Sequence, residues 1–71
     1  MKPAIGSIFK INYKNYRGEI GIRKIKINSF HVGSNEYHKE HQLLIEAIDL
    51  ERQVERIFAA KDILEWFENT D

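Results

Sequence analysis

Three histidines, His31, His38 and His41, stand near the acids Glu36 and Glu40, and His38 with His41 makes the spacing His-x-x-His that transition-metal sites use. Three-residue spacing brings two side chains together on a helix and sets them on opposite faces of a strand. The polar stretch around them, residues 28–42 with Gly33-Ser34-Asn35 inside it, reads as a loop carrying a short strand at 29–32 and imposes neither arrangement. Surface or hydrogen-bonded histidines are the expected state, and no metal is assigned. The hydroxyls that could act as nucleophiles, Ser7, Ser29, Ser34 and Thr70, lie in no nucleophile elbow, and no glycine-rich phosphate loop is present. The chain also has no cysteine, so thiolate chemistry is excluded. Neither catalysis nor a cofactor is expected.

A second chemistry is anion binding. Net charge is zero, yet residues 1–30 carry seven Lys or Arg against one Glu, while residues 31–71 carry four against ten acids. Lys10, Lys14, Arg17, Arg23, Lys24 and Lys26 can therefore form a local basic patch, or equally an ordinary solvated face. A non-specific nucleic-acid binder draws most of its affinity from phosphate contacts and is usually strongly basic overall, so zero net charge favours a compact anionic ligand over a long track.

These residues need elements to position them. Residues 7–13 alternate, with Phe9, Ile11 and Tyr13 on one face and Lys10 and Asn12 on the other, the period of a half-buried strand. A reversal follows at Lys14-Asn15-Tyr16-Arg17-Gly18, with Asn available for turn hydrogen bonds and Gly18 for a positive φ. A four-residue loop at 14–17 would set Ile11 opposite Ile20 and Phe9 opposite Ile22. Ile20 and Ile22 occupy even positions but Ile25 and Ile27 odd ones, which predicts a bulge or bend at Arg23-Lys24. The C-terminal third admits two readings. From Leu43 through Phe67 the apolar residues fit one helical stripe, in a segment without Gly or Pro. Alternatively, strands at 43–49 and 54–59 flank a turn at 50–53, followed by a short helix capped by Asp62.

Seventy-one residues make a single domain over 1–71. A chain this short buries only about 60% of its unfolded surface, which makes a homo-oligomer a reasonable expectation. The absence of cysteine fits a reducing cytoplasm. No apolar run approaches the ~20 residues of a membrane span, and the stretch before Lys10 is too short for a secretory signal.

Several weak motifs together resemble the WYL domain family. They are Phe9 to Tyr13, the Arg17-Gly18 turn, Arg23 four residues beyond Glu19, Leu43-Leu44-Ile45-Glu46-Ala47-Ile48-Asp49, and Arg56-Ile57-Phe58 with Lys61-Asp62-Ile63. The chain is most similar to the short stand-alone WYL-like proteins of bacteria and their phages, where a segment like Gly33-Ser34-Asn35-Glu36-Tyr37-His38 precedes the name-giving strand. It departs from the pattern at Gln42-Leu43-Leu44, which keeps only the last letter of Trp-Tyr-Leu, and it lacks a proline common after the second strand.

The resemblance implies a mainly β fold: a small Sm-like or SH3-like five-stranded barrel with a short C-terminal helix, which selects the hairpin reading of residues 43–60. It also implies a ligand site at Tyr13, Arg23, His38, Gln42 and Arg56. Guanidiniums fork onto phosphate oxygens, and Tyr or His stacks on a base or bonds a ribose. That set suits a nucleotide-like ligand or single-stranded nucleic acid, in a regulatory or sequestering role. The alternative arrangement pairs Arg56 with Glu46 or Asp49 and leaves Tyr13 as filler. A different class of function, a protein-interaction or inhibitor module, would use a barrel edge and Trp66 with Phe67 on the terminal helix.

Overall fold

The computed structural model describes residues 3–36 and 39–68. These form five strands, β1 (Ile8–Lys14), β2 (Ile20–Gly33), β3 (Gln42–Asp49), β4 (Val54–Ala59) and β5 (Ile63–Glu68), with a 3-10 turn at Ala60–Asp62. All pairings are antiparallel, in one sheet of order β4-β3-β2-β1-β5. The mainly β expectation holds, whereas among the described residues the sheet is not hydrogen-bonded into a closed ring. No helix among the described residues is long and apolar enough to cross a membrane.

The long strand β2 sets the shape. Its first half pairs with β1 and its second half with β3, and a register shift between Ile27 and Ser29 bends it where one duty passes to the other. The bend turns one face of the sheet inward on itself. Phe9, Ile11 and Tyr13 of β1 meet Ile25 and Ile27 of β2, Ile45 and Ala47 of β3, and Phe58 of β4 in one buried cluster. Two edge-to-face ring pairs hold it: Phe9 with Trp66 at 5.4 Å and Tyr13 with Phe58 at 4.8 Å. Such pairs contribute about 0.5–1.5 kcal/mol each beyond their buried area.

The β1–β2 and β3–β4 hairpin turns are each built on a side-chain acceptor. In the five-residue loop 15–19, the Asn15 Oδ1 accepts from the N–H groups of Arg17 and Glu19, each at 2.9 Å, and Gly18 takes φ +84°. In the β3–β4 turn, the Asp49 Oδ1 accepts from the N–H groups of Glu51 and Arg52, each at 3.1 Å.

Four expectations are corrected. The β1–β2 loop has five residues, 15–19, instead of the four expected at 14–17, and it begins one residue later; together these shift the register by three, so Ile11 lies opposite Arg23 and Phe9 opposite Ile25. Ile20 and Ile22 consequently face outward, 60% and 51% exposed, and Gly21 and Arg23 take the inward positions. The change of parity lies at Asn28, not at Arg23-Lys24. The 29–32 segment is the distal half of β2. Finally, the C-terminal helix is absent: after the 3-10 turn, residues 63–68 form an edge strand on β1. A six-residue helix carries an unfavourable nucleus for few hydrogen bonds, whereas pairing with β1 satisfies one side of the backbone and buries Ile63.

Candidate functional site

The inverted parity of β2 creates the site. At the end of the sheet beyond Ile25, the inward positions are Gly21 opposite Tyr13 and Arg23 opposite Ile11. Gly21 has no side chain, and the Arg23 guanidinium occupies the space above it: a Cβ built there would stand 3.1 Å from Nη1. The same nitrogen donates to the Ile22 carbonyl at 3.3 Å. Across the fold, β4 presents Arg56 on its inward face, opposite the buried Ala47 and two positions from Phe58. A cleft of about 750 Å³ opens here, with Tyr13, Arg23, Arg56 and Phe58 in its lining. That volume falls within the usual ~300–1,000 Å³ of small-molecule sites.

Tyr13 is the pivot of this cleft. Its ring packs on Phe58, and its hydroxyl accepts a hydrogen bond from the Ala59 N–H at 3.3 Å. Burial pushes the phenol pKa above its ordinary value; the Ala59 hydrogen bond opposes that rise, the Asp62 charge adds to it, and the Arg23 charge opposes it. The group is therefore a neutral phenol at physiological pH, with a proton to donate.

The rim carries both signs, with Arg17 and Arg52 beside Glu19, Glu36, Glu46 and Glu55. The arginines differ in their partners. Arg52 holds the buried Asp49 at 3.1 Å, and Arg17 lies 5.6 Å over the Tyr16 ring. Among the described residues, neither Arg23 nor Arg56 has a carboxylate within 4.0 Å. The pairing of Arg56 with Glu46 or Asp49 does not form, because Glu46 faces outward toward His31 at 3.3 Å and Asp49 is taken by Arg52.

Of the five residues assigned to a ligand, the structure brings Tyr13, Arg23 and Arg56 together. Gln42 stands elsewhere, in an adjoining cleft with Lys39, Lys61 and Asp62, where its Nε2 donates to the Glu40 carbonyl at 3.1 Å. His38 lies outside the described residues. The basic patch divides. Lys10, Lys24 and Lys26 lie on the outer face, with Lys10 directly opposite Lys24, while Arg23 turns inward and Arg17 stands on the loop. Among the described residues no cluster of three potential metal ligands is present. Trp66 is on β5, packed on Phe9, and does not belong to an exposed helical surface.

Two participants were missed in the sequence. Phe58 reads as plain core, and only the folding of β4 over β1 places it in the cleft wall. Gly21 had a signal: an isolated glycine inside a strand marks a close approach by another group. Comparison of the chain with protein-family models, with curated proteins and with solved structures gives no match.

Proposed function

We propose that this chain is a non-enzymatic binding domain for a nucleotide-like anion, held in the cleft between β1, β2 and β4. The carrying observation is that Arg23 and Arg56, from strands far apart in sequence, line one cleft beside Tyr13 and Phe58 with no carboxylate within 4.0 Å among the described residues. Two guanidiniums without carboxylate partners suit a phosphate, and a neutral phenol beside an aromatic wall suits a ribose or base. The four glutamates of the lining restrict anions to the arginine positions, which favours a ligand with localised charge over a featureless polyanion.

The proposal includes a WYL-like, Sm-like or SH3-like barrel in a cytoplasmic protein. Support for the barrel comes from the three-residue 3-10 turn that joins the two edge strands β4 and β5, and from the Ala59-to-Tyr13 bond that ties β4 to β1. A homo-oligomer is part of the same reading, since it would cover edges that a small domain leaves open.

Thermal-shift screening against mononucleotides, cyclic dinucleotides and ADP-ribose derivatives tests the function, because a ligand at 100 times its Kd adds ~2.7 kcal/mol to stability. Calorimetry on the hit should show Arg23→Ala and Arg56→Ala each losing about tenfold or more in affinity. Unchanged affinity in both variants overturns the site. Silence across the panel, with recovery of one protein partner, overturns the ligand class in favour of an interaction module.

A further inference from the structure

Strand β2 outruns its neighbour on one side. β1 pairs with it from Ile20 to Lys26, and the Ile27 N–H to the Ser7 carbonyl at 3.0 Å, with the Gly6 N–H to the Ile27 carbonyl at 2.7 Å, carries that side one residue further. From Ser29 to Gly33 the strand is paired with β3. Among the described residues no strand pairs with its other side, which leaves backbone N–H and C=O groups there as an open edge.

This edge has an apolar flank and no charged guard. Phe30 and Val32 share the face of their β3 partners Ile45 and Leu43, and so continue the buried face of Ile27 and Ala47 past the end of the core. Phe30, Val32 and Leu43 are 36%, 63% and 45% exposed, so the face is uncovered there. Residues 28–34, Asn-Ser-Phe-His-Val-Gly-Ser, hold no Lys, Arg, Asp, Glu or Pro, the residues by which proteins protect an open edge from pairing. The outer strands are protected in that way: β4 carries Glu55 and Arg56, and β5 carries Glu65. His31 belongs to the other face, where its Nδ1 lies 3.3 Å from Glu46 Oε2.

The edge is complementary to itself. Antiparallel pairing of two copies about a dyad at His31 sets Phe30 opposite the partner's Val32, Ser29 opposite the partner's Gly33, and His31 opposite the partner's His31. Residues paired across antiparallel strands project to one face, so both Phe-Val pairs fall on the uncovered apolar side and both histidines on the other, each beside its own Glu46. A dyad at Phe30 instead sets Val32 opposite the partner's Asn28, at the register shift where the ladder is broken.

We propose that this chain forms a two-fold dimer by edge-to-edge pairing of residues 29–33, each β2 extending the sheet of the other copy. This rests on the homo-oligomer of the preceding reading and gives it an interface. It uses none of Tyr13, Arg23, Arg56 or Phe58, the groups assigned to the ligand.

Sedimentation from micromolar to millimolar concentration, together with hydrogen exchange read by mass spectrometry, tests the dimer. The parent should show a reversible monomer–dimer equilibrium, with the amides of residues 29–33 gaining protection as the dimer forms. Val32→Lys, at an exposed position, should keep the parent's circular dichroism and weaken dimerisation by about tenfold or more, since the substitution enters the interface twice. Phe30→Glu should act in the same direction. Both substitutions in one chain should recover much of the lost affinity, because each new carboxylate then lies opposite a new ammonium across the dyad. A monomer at every concentration overturns this inference together with the homo-oligomer reading. A dimer that Val32→Lys leaves intact, with protection rising at β4 or β5 instead, overturns the β2 edge and spares the homo-oligomer. A double variant as monomeric as the single ones overturns the pairing of Phe30 with the partner's Val32.

Discussion

The Arg23 guanidinium lies over Gly21, in space that a side chain at position 21 would enter, with Nη1 only 3.1 Å from the place of a Cβ. The two residues are alternate inward positions on β2, so they face the same cleft. Gly21 thus lets a charged group lie flat against backbone at the end of an otherwise apolar face.

Gly21→Ala separates ligand binding from stability. A methyl at 3.1 Å forces the guanidinium to move by a few tenths of an ångström, and a long flexible side chain yields without disturbing the strand. Removing a strand glycine also restricts the unfolded chain, which favours the folded state by about 0.4–1 kcal/mol. The expected variant is as stable as the parent or slightly more so in urea, yet binds its ligand several-fold more weakly. Parent-like affinity would show that the position of Arg23 over Gly21 is not used in binding.

The same pair of residues explains what was legible in the sequence. Phe9, Ile11 and Tyr13 announced β1 by alternation, and Asn15 with Gly18 announced the turn, because those signals are local. Beyond the turn the hydrophobic pattern misleads: the apolar Ile20 and Ile22 face solvent while Gly21 and Arg23 face inward. Patterning fails there because the inward face has stopped being core and become cleft, and local rules break most often at functional sites. The terminal strand was hidden for another reason. Asp62 mimics a helix cap, and Ile63, Trp66 and Phe67 fit a helical stripe as well as a strand; only the β1 edge, remote in sequence, decides between them.

The register of β2 has a direct test in matched truncations. Ile25→Val removes a methyl from a site that is 0% exposed and should cost about 0.5–1.5 kcal/mol. Ile22→Val removes the same group from an outward position that is 51% exposed and should stay within about 0.5 kcal/mol of the parent. Urea unfolding of both variants reads the difference. If Ile22→Val costs as much as Ile25→Val, the four-residue loop and its register are restored, and Arg23 leaves the cleft.

Asp49 makes stability depend on acid in a defined direction. Its carboxylate is 0% exposed on the inward face, opposite Ile25 and Val54. Burial raises its pKa, but the Arg52 N–H, the Arg52 guanidinium and the Glu51 N–H, together with the Arg52 charge, outweigh burial and hold it below the ordinary 3.8. A carboxyl whose folded pKa lies below its unfolded one favours the folded state fully above the unfolded value and loses that contribution as pH falls through the folded one. Urea midpoints should therefore drop as pH is lowered through and below 3.8. In Asp49→Asn the amide oxygen still accepts from the two turn N–H groups, but the charge that attracts Arg52 is gone. The variant should be less stable than the parent near neutral pH, and the gap should narrow steadily in acid. A gap that stays constant down through that range would mean that the Asp49 charge does not hold the turn.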